Sequence, residues 1–99
     1  MKTNFNSLLQ GQQLVLVAFY ATWCGPCKAL NPILQEVKKG VGEAVKIIKI
    51  DVDKNQNLAQ KFQVRGVPTL ILFKNANPVW RQSGVISSND LKQLIQSNL

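Results

Sequence analysis

The chain has 99 residues, enough for one domain with its own hydrophobic core and too few for two. Hydrophobic residues make up 45% of the chain and charged residues 17%, a composition typical of a globular protein rather than a disordered one. Twelve Lys and Arg against five Asp and Glu give a formal net charge of +7, but the basic residues are scattered and form no dense run. A specific nucleic-acid interface is therefore not expected.

The apolar stretches are too short to cross a membrane. The longest, Leu14–Ala21, is far below the ~20 residues that a membrane helix requires. The first ten residues contain no cleavable apolar segment. We therefore expect a cytoplasmic monomer with one domain over residues 1–99. An export signal or lipid anchor upstream of residue 1 would change this expectation.

The first predicted elements are a short helix and a buried strand. Phe5, Leu8 and Leu9 indicate the helix. Leu14–Tyr20 is continuously apolar and rich in β-branched residues, the pattern of a strand that is buried on both faces. This strand leads directly into the segment that contains both cysteines of the chain.

A long helix is predicted after the first strand. Pro26 suits its first turn, and apolar residues follow at helical spacing as far as Val37. Lys38, Lys39 and Gly40 supply the basic residues and the glycine that predict its end. Pro32 lies inside this helix and predicts a kink.

The second half of the chain predicts three more strands. Val45–Val52 forms the second strand, and a short helix follows from Asp53 to Phe62. Thr69–Phe73 forms the third strand, and a hairpin turn at Asn75–Pro78 leads to an antiparallel fourth strand at Val79–Gln82. The pattern is β-α-β-α followed by a hairpin, which predicts an α/β fold.

One more helix ends the predicted pattern. Gly84 breaks the fourth strand, and Ser87 with Asp90 three residues later predicts a helix N-cap. Leu91, Leu94 and Ile95 then give this helix an apolar face.

Cys24 and Cys27 leave three chemical interpretations open. A structural zinc site needs four Cys or His ligands, and the chain has two cysteines and no histidine, so only a metal shared between two chains remains possible. A structural disulfide across two intervening residues closes a loop too short to stabilise the fold much. Redox chemistry is the third interpretation, and a CxxC motif between a strand and a helix favours it.

The position of the two cysteines predicts their roles. Cys24 lies where the helix begins, and the free N–H groups and positive dipole end there favour a thiolate, so Cys24 is expected to be the nucleophile. Cys27, one turn further along, is expected to be more buried and to resolve the mixed disulfide. Gly25 allows a tight approach and Pro26 lacks an N–H, so this pair is expected to tune the redox properties.

Nearly the whole chain resembles the thioredoxin family. The segments that carry the resemblance are ATWCGPCK, the helix with Pro32, KIDVDKN from Lys49 to Asn55, and RGVPTLILFKN from Arg65 to Asn75. The resemblance implies a thioredoxin fold, with a mixed sheet of about four strands and helices on both faces. It also implies a protein disulfide reductase that binds no cofactor apart from its redox-active Cys24–Cys27 disulfide. NADPH would supply the electrons through a thioredoxin reductase.

The resemblance also assigns a substrate-binding surface. Val67 and Pro68 match the family's loop with a cis proline beside the cysteines. The surface onto which an extended substrate segment binds corresponds to Trp23, Gly66, Val67, Pro68, Gly84 and Val85.

Three departures from the family pattern stand out. Only four residues precede Phe5, so the family's first strand is expected to be missing. Ala18 occupies the position of a buried aspartate that in the family helps to deprotonate the resolving cysteine, and Lys49 matches the lysine that pairs with this aspartate. Tyr20 replaces the usual tryptophan, a milder change. We therefore expect Ala18 to slow release of the mixed disulfide and Lys49 to act in redox tuning.

Two alternative functions remain beside the reductase. An oxidase or isomerase of an oxidising compartment is disfavoured by the Gly25-Pro26 pair and by the absence of an export signal in the first ten residues. A thioredoxin-fold binding subunit with incidental cysteines gains some support from Ala18. The sequence identifies neither the substrates nor the dedicated reductase.

Overall fold

The computed structural model describes residues 5–11 and 13–99. In these residues it contains four strands and four α-helices, together with a 3-10 turn at Gly42–Ala44. In chain order the elements are α1 (Phe5–Leu9), β1 (Leu14–Tyr20), α2 (Gly25–Val41), β2 (Lys46–Asp51), α3 (Gln56–Lys61), β3 (Thr69–Lys74), β4 (Asn77–Ser83) and α4 (Ser88–Ser97). The predicted elements are all present, with shifts at several ends.

The four strands form one mixed sheet in the order β2-β1-β3-β4. β1 pairs with β2 in parallel and with β3 antiparallel, and β3 pairs antiparallel with β4. The parallel pair places the carboxyl ends of β1 and β2 at the same edge of the sheet. This edge is where the chain leaves β1 toward the cysteines. The prediction of a mixed sheet of four strands is confirmed for the described residues, and residues 1–4 lie outside them.

The side chains of β1 alternate between two hydrophobic clusters on opposite faces of the sheet. Leu14, Leu16 and Ala18 belong to the cluster covered by α2 and α4. Val15, Val17 and Phe19 belong to the cluster on the face of α1 and α3. Because helices cover both faces, the continuous apolar pattern of β1 follows from its central position.

α2 continues beyond the end that the sequence predicts. Gly40 lies inside it, and Gly42 occupies the C-cap with φ of +58° and donates its N–H to the Lys38 carbonyl. A Cβ at Gly40 would lie 2.8 Å from Cε of the flexible Lys92 side chain on α4, which can move aside. The predicted stop at Gly40 is therefore wrong by two residues, and Gly42 provides the positive φ that favours glycine.

The hairpin between β3 and β4 is tighter than predicted. Asn75 and Ala76 both have positive φ angles, of 50° and 68°, as in a two-residue turn of type I′. β4 therefore starts at Asn77 and includes Pro78, which the sequence assigned to the turn. Pro78 is tolerated because β4 is an edge strand.

No helix among residues 5–11 and 13–99 is long and apolar enough to span a bilayer. Within the same residues no three His, Cys, Asp or Glu side chains group as metal ligands.

Candidate active site around Cys24 and Cys27

Cys24 and Cys27 form a disulfide at the junction of β1 and α2, with their Cα atoms 5.3 Å apart. Cys24 is the N-cap of α2 in an extended conformation, and its Sγ accepts a hydrogen bond from the Cys27 N–H at 3.2 Å. An unpaired donor of the first helical turn is therefore directed at the sulfur. The predicted position of the pair at a strand-to-helix junction is confirmed.

The two cysteines are equally buried in this disulfide form. The exposed fraction is 4% for Cys24 and 5% for Cys27. The expectation that Cys27 is the more buried of the two is wrong here. The disulfide holds both sulfurs against the same surroundings, a cluster with Ala21 that Tyr20, Val52 and Val67 cover.

The loop before β3 lies against the Cys24 sulfur. The Val67–Pro68 peptide bond is cis, as the resemblance implied, and Cys24 Sγ lies 3.6 Å from the Val67 carbonyl oxygen. Thr69 Oγ1 donates to the Gly66 carbonyl at 2.7 Å, and the Gly84 N–H donates to the Pro68 carbonyl at 2.9 Å. These two bonds hold the loop on both sides of the proline.

An exposed aromatic ring borders the disulfide on its solvent side. Trp23 is 70% exposed, and its Nε1 donates a hydrogen bond to the Asp53 carboxylate at 2.9 Å. Val85, next to Gly84, is also exposed. We call Trp23, Val67, Gly84 and Val85 the outer platform. An exposed apolar ring held by a hydrogen bond can contact a bound chain at little cost in side-chain entropy.

Asp53 was not identified from the sequence. It follows β2, which runs parallel to β1, so both strands end at the same edge of the sheet. The buried Asp51 holds this loop in place, because its carboxylate accepts hydrogen bonds from the backbone N–H groups of Asp53 and Lys54 at 2.9 and 3.3 Å. The shared edge of the parallel pair is the signal that could have located Asp53.

Position 18, where the resemblance implies a buried aspartate in the family, carries an apolar side chain in this chain. Ala18 is 2% exposed and packs in the cluster that contains Leu30 and Leu70. Lys49 is its Cα partner on β2, so both side chains lie on the α2 face of the sheet. The Lys49 ammonium donates to the side-chain oxygen of Asn31 at 2.9 Å. The hydrogen-bond partner of Lys49 is therefore an amide on α2, which sequence reasoning missed.

A cavity of about 300 Å³ connects Lys49 with Cys27. Its lining residues are Tyr20, Ala21, Thr22, Cys27, Lys28, Asn31 and Lys49. Hydroxyl, amide and ammonium groups on its wall provide partners for water. We call this cavity with Ala18 the inner side of the site. Water in this space can carry protons to and from Cys27.

These features define a dithiol–disulfide centre on a thioredoxin-type α/β fold: a CxxC pair at a helix N-terminus, opposite a cis proline. The Thioredoxin family model matches residues 1–97. The chain belongs to the thioredoxin family. Membership in this family, with Cys24 and Cys27 at disulfide distance, supports thiol–disulfide oxidoreductase chemistry.

Individual relatives agree with this assignment. The thioredoxin-like protein slr0233 of Synechocystis is 44% identical over 94 residues, which cover 94% of this chain and 90% of that protein. Thioredoxin Y, chloroplastic, of Oryza sativa subsp. japonica is also 44% identical, and the match covers 98% of this chain but only 58% of the rice protein. The structure of a mutant thioredoxin from Halobacterium salinarum NRC-1 superimposes with a TM-score of 0.89 at 39% identity, covering 99% of this chain and 85% of that one.

Proposed function

We propose that this protein is a protein disulfide reductase that uses the Cys24–Cys27 pair as its dithiol and disulfide. The observation that supports it most directly is the position of Cys24, which caps α2, accepts the Cys27 N–H and lies beside the Val67 carbonyl. A helix N-terminus stabilises a thiolate, and a second cysteine one turn away can reach the first sulfur.

The proposed reaction has two steps. The Cys24 thiolate attacks one sulfur of a substrate disulfide, forms a bond to it and breaks the substrate S–S bond, and the departing thiolate takes up a proton. Cys27 then loses its proton and attacks the Cys24 sulfur. This forms the Cys24–Cys27 disulfide and releases the second substrate thiol. Two electrons pass from the protein to the substrate.

The pair must be reduced before the next cycle. This reduction requires two electrons and two protons, which we propose come from NADPH through a thioredoxin reductase. Gly25 and Pro26 shape the turn between the cysteines, and the missing N–H of Pro26 leaves the Cys27 N–H to interact with Cys24. We therefore assign a tuning role to both residues.

The outer platform is the proposed substrate site. An extended substrate segment would lie across Trp23 and Val85 and pair with the backbone near Gly66 and Val67. Pro68 is buried and positions the Val67 carbonyl close to Cys24. The exposed apolar area of Trp23 and Val85 would be covered on binding, which favours association without a charged contact.

The inner side is proposed to control the second step. Cys27 must lose a proton before it attacks, and none of the described residues that line the cavity beside it carries a carboxylate. Water in the cavity is then the proton acceptor, and the Lys49 ammonium on the same wall favours the thiolate form of Cys27. This role for Lys49 is the proposed redox tuning.

The test is disulfide reduction with a protein substrate such as insulin, NADPH and a thioredoxin reductase. Wild-type protein should turn over, Cys27→Ser should accumulate mixed disulfides, and Cys24→Ser should do neither. Turnover that occurs with a chemical reductant but not with NADPH and the reductase would contradict the proposed electron donor and leave the proposed disulfide reduction intact.

Two outcomes would support the alternatives. Absence of turnover with both thiols intact would favour the binding subunit, an idea that the missing acid at Ala18 suggests. Oxidation of reduced substrates faster than reduction of oxidised ones would favour an oxidase or isomerase.

We also propose that the protein acts as a single-domain monomer in the cytoplasm. Its relatives include bacterial thioredoxins, such as that of Staphylococcus saprophyticus at 40% identity, and proteins named chloroplastic. Cell fractionation and sizing of the native protein test this location and oligomeric state.

A further inference from the structure

The cavity beside Cys27 combines positive charge with hydrogen-bond donors. Lys28 on α2 and Lys49 on β2 both line it. Tyr20 and Thr22 add hydroxyl groups to the same wall. Each of these four side chains can donate a hydrogen bond to an oxygen atom. The wall therefore suits a ligand that is rich in acceptors.

The hydrogen bond between Lys49 and Asn31 leaves further donors for such a ligand. The Lys49 ammonium donates one N–H to the side-chain oxygen of Asn31 at 2.9 Å. An ammonium group has three N–H donors, so it keeps two others. The same bond uses the acceptor of the Asn31 amide and leaves its NH2 group to donate.

No acid competes for these donors among the described residues that line the cavity. The nearest acids have other partners. Asp51, the strand partner of Tyr20, is buried and accepts the backbone N–H groups of Asp53 and Lys54. The Asp53 carboxylate accepts the Trp23 Nε1–H. The local charge thus favours an anion over a cation.

The volume and the chemistry of the cavity indicate which anion. Its volume of about 300 Å³ is well above the ~30 Å³ of one water, so a tetrahedral oxyanion fits together with several waters. Charge-assisted hydrogen bonds from ammonium groups favour oxygens that carry negative charge. Phosphate meets this requirement and gains or loses a proton near neutral pH. Sulfate has the same shape and charge but stays unprotonated.

We propose that this cavity binds a phosphate group, and that the bound phosphate, in place of water, accepts the Cys27 proton when the mixed disulfide is released. The proposal rests on the reductase function proposed above. A phosphate oxygen forms an O–H bond as the Cys27 S–H bond breaks. The Cys27 thiolate then attacks the Cys24 sulfur, which forms the Cys24–Cys27 disulfide and breaks the bond to the substrate sulfur. The protonated phosphate returns its proton to the departing substrate thiolate and is unchanged at the end.

Binding is tested on the oxidised protein by titration with sodium phosphate at constant ionic strength. We expect saturable NMR shift changes in the backbone amides of Thr22, Lys28 and Asn31. The dissociation constant should be millimolar, because Lys28 and Lys49 are exposed to water. Sulfate should compete with comparable affinity. Shift changes that do not saturate, or that are equally large in α4, would overturn the proposal.

A neighbouring groove supplies the matched control for the position of the anion. This groove, of about 360 Å³, shares Asn31 and Lys49 with the cavity but is lined by Lys46 instead of Lys28 and Cys27. Lys28→Met should weaken phosphate binding about fivefold, and Lys46→Met less than about twofold. An equal or larger loss in Lys46→Met would place the anion away from Cys27 and would refute the proposal.

The proton transfer is tested by single-turnover release of a small aromatic thiol from its mixed disulfide with Cys24. Saturating phosphate should accelerate this release about fivefold, with half of the effect at the dissociation constant. Sulfate should slow it by up to about threefold, because it offsets the Lys49 charge without accepting a proton. Equal acceleration by the two anions would refute phosphate as the proton acceptor.

Methyl phosphate separates two sources of the phosphate group. Acceleration equal to that by inorganic phosphate would support a phosphate ester as occupant, and acceleration by inorganic phosphate alone would support the free ion. Insulin reduction in phosphate-free buffer is measured in parallel, because it needs the dithiol but not the anion. Turnover without saturable phosphate binding would refute the anion site alone, whereas binding without turnover would refute the reductase and the proton transfer.

Discussion

The two sides of the disulfide are built in different ways. The outer platform uses backbone groups, the cis Val67–Pro68 peptide and one exposed ring, Trp23. The inner side depends on individual side chains, namely the buried Ala18 and the hydrogen bond between Asn31 and Lys49, the strand partner of Ala18. Backbone geometry survives most substitutions, whereas a buried acid is lost with a single one. In the proposed mechanism, substitutions can therefore alter attack by Cys24 and resolution by Cys27 independently.

Of the tests of the two sides, a substitution at position 18 should have the largest effect. Ala18→Asp places a carboxyl group in the apolar cluster with Leu30 and Leu70, so the free energy of unfolding should fall by about 3 kcal/mol. The same carboxylate can accept the Cys27 proton, so release of the mixed disulfide at neutral pH should accelerate by about tenfold. Chemical denaturation and single-turnover thiol release measure the two effects.

Ala18→Asn is the matched control for this change. It introduces a polar group of the same shape without a proton acceptor of comparable strength, so it should lose stability without a gain in rate. An unchanged or lower rate in Ala18→Asp would mean that the inner side does not limit resolution.

The outer side is tested by shortening its exposed ring. Trp23→Ala should lower kcat/KM for a protein substrate by about tenfold, because it removes apolar contact area from the proposed site. The melting temperature should change little, since the ring is 70% exposed. Val79→Ala, at an exposed site on β4, is the control and should leave kcat/KM unaltered. An equal loss in both variants would exclude a specific role for the ring.

Substitutions of Asn31 and Lys49 should have the smallest effect, and it should appear in the rate of mixed-disulfide release. Lys49→Met removes the ammonium from the cavity beside Cys27 and should slow mixed-disulfide release about threefold, with little loss of stability because the side chain is exposed. Asn31→Ala keeps the Lys49 ammonium but removes its hydrogen-bond partner, so the ammonium can move. Its effect on mixed-disulfide release should therefore be smaller than that of Lys49→Met. Lys54→Met removes a charge outside this cavity and should have no effect on release. A rate in Lys49→Met identical to wild type would contradict the tuning role.

The sequence predicts most of the elements because periodicity and caps are local. The N-cap at Ser87 is confirmed, with its hydroxyl accepting the Asp90 N–H at 3.1 Å. The predicted start of α3 at Asp53 is wrong, because Asp51 accepts the N–H groups of Asp53 and Lys54 and keeps them in a turn, so the helix begins at Gln56. A side chain that competes for backbone donors is difficult to recognise in a sequence pattern.

The parts of the site that the sequence does not reveal are contacts between distant residues. The Trp23–Asp53 bond joins residues 30 positions apart, and the Lys49–Asn31 bond joins residues 18 apart. No local pattern marks Asn31, an exposed residue of α2. The cysteines and the Val67-Pro68 segment could be predicted because they are contiguous motifs, whereas these pairs depend on how β2 and α2 are packed.

The shared position of β1 has a consequence for how the protein unfolds. Its alternate residues belong to two hydrophobic clusters on opposite faces, so neither cluster can lose its packing while the other keeps an intact strand. The amides of β1 and β3 should accordingly exchange with solvent only through global unfolding, and both clusters should melt in one cooperative transition. β2 and β4, each paired on one side only among the described strands, should open at lower free energy.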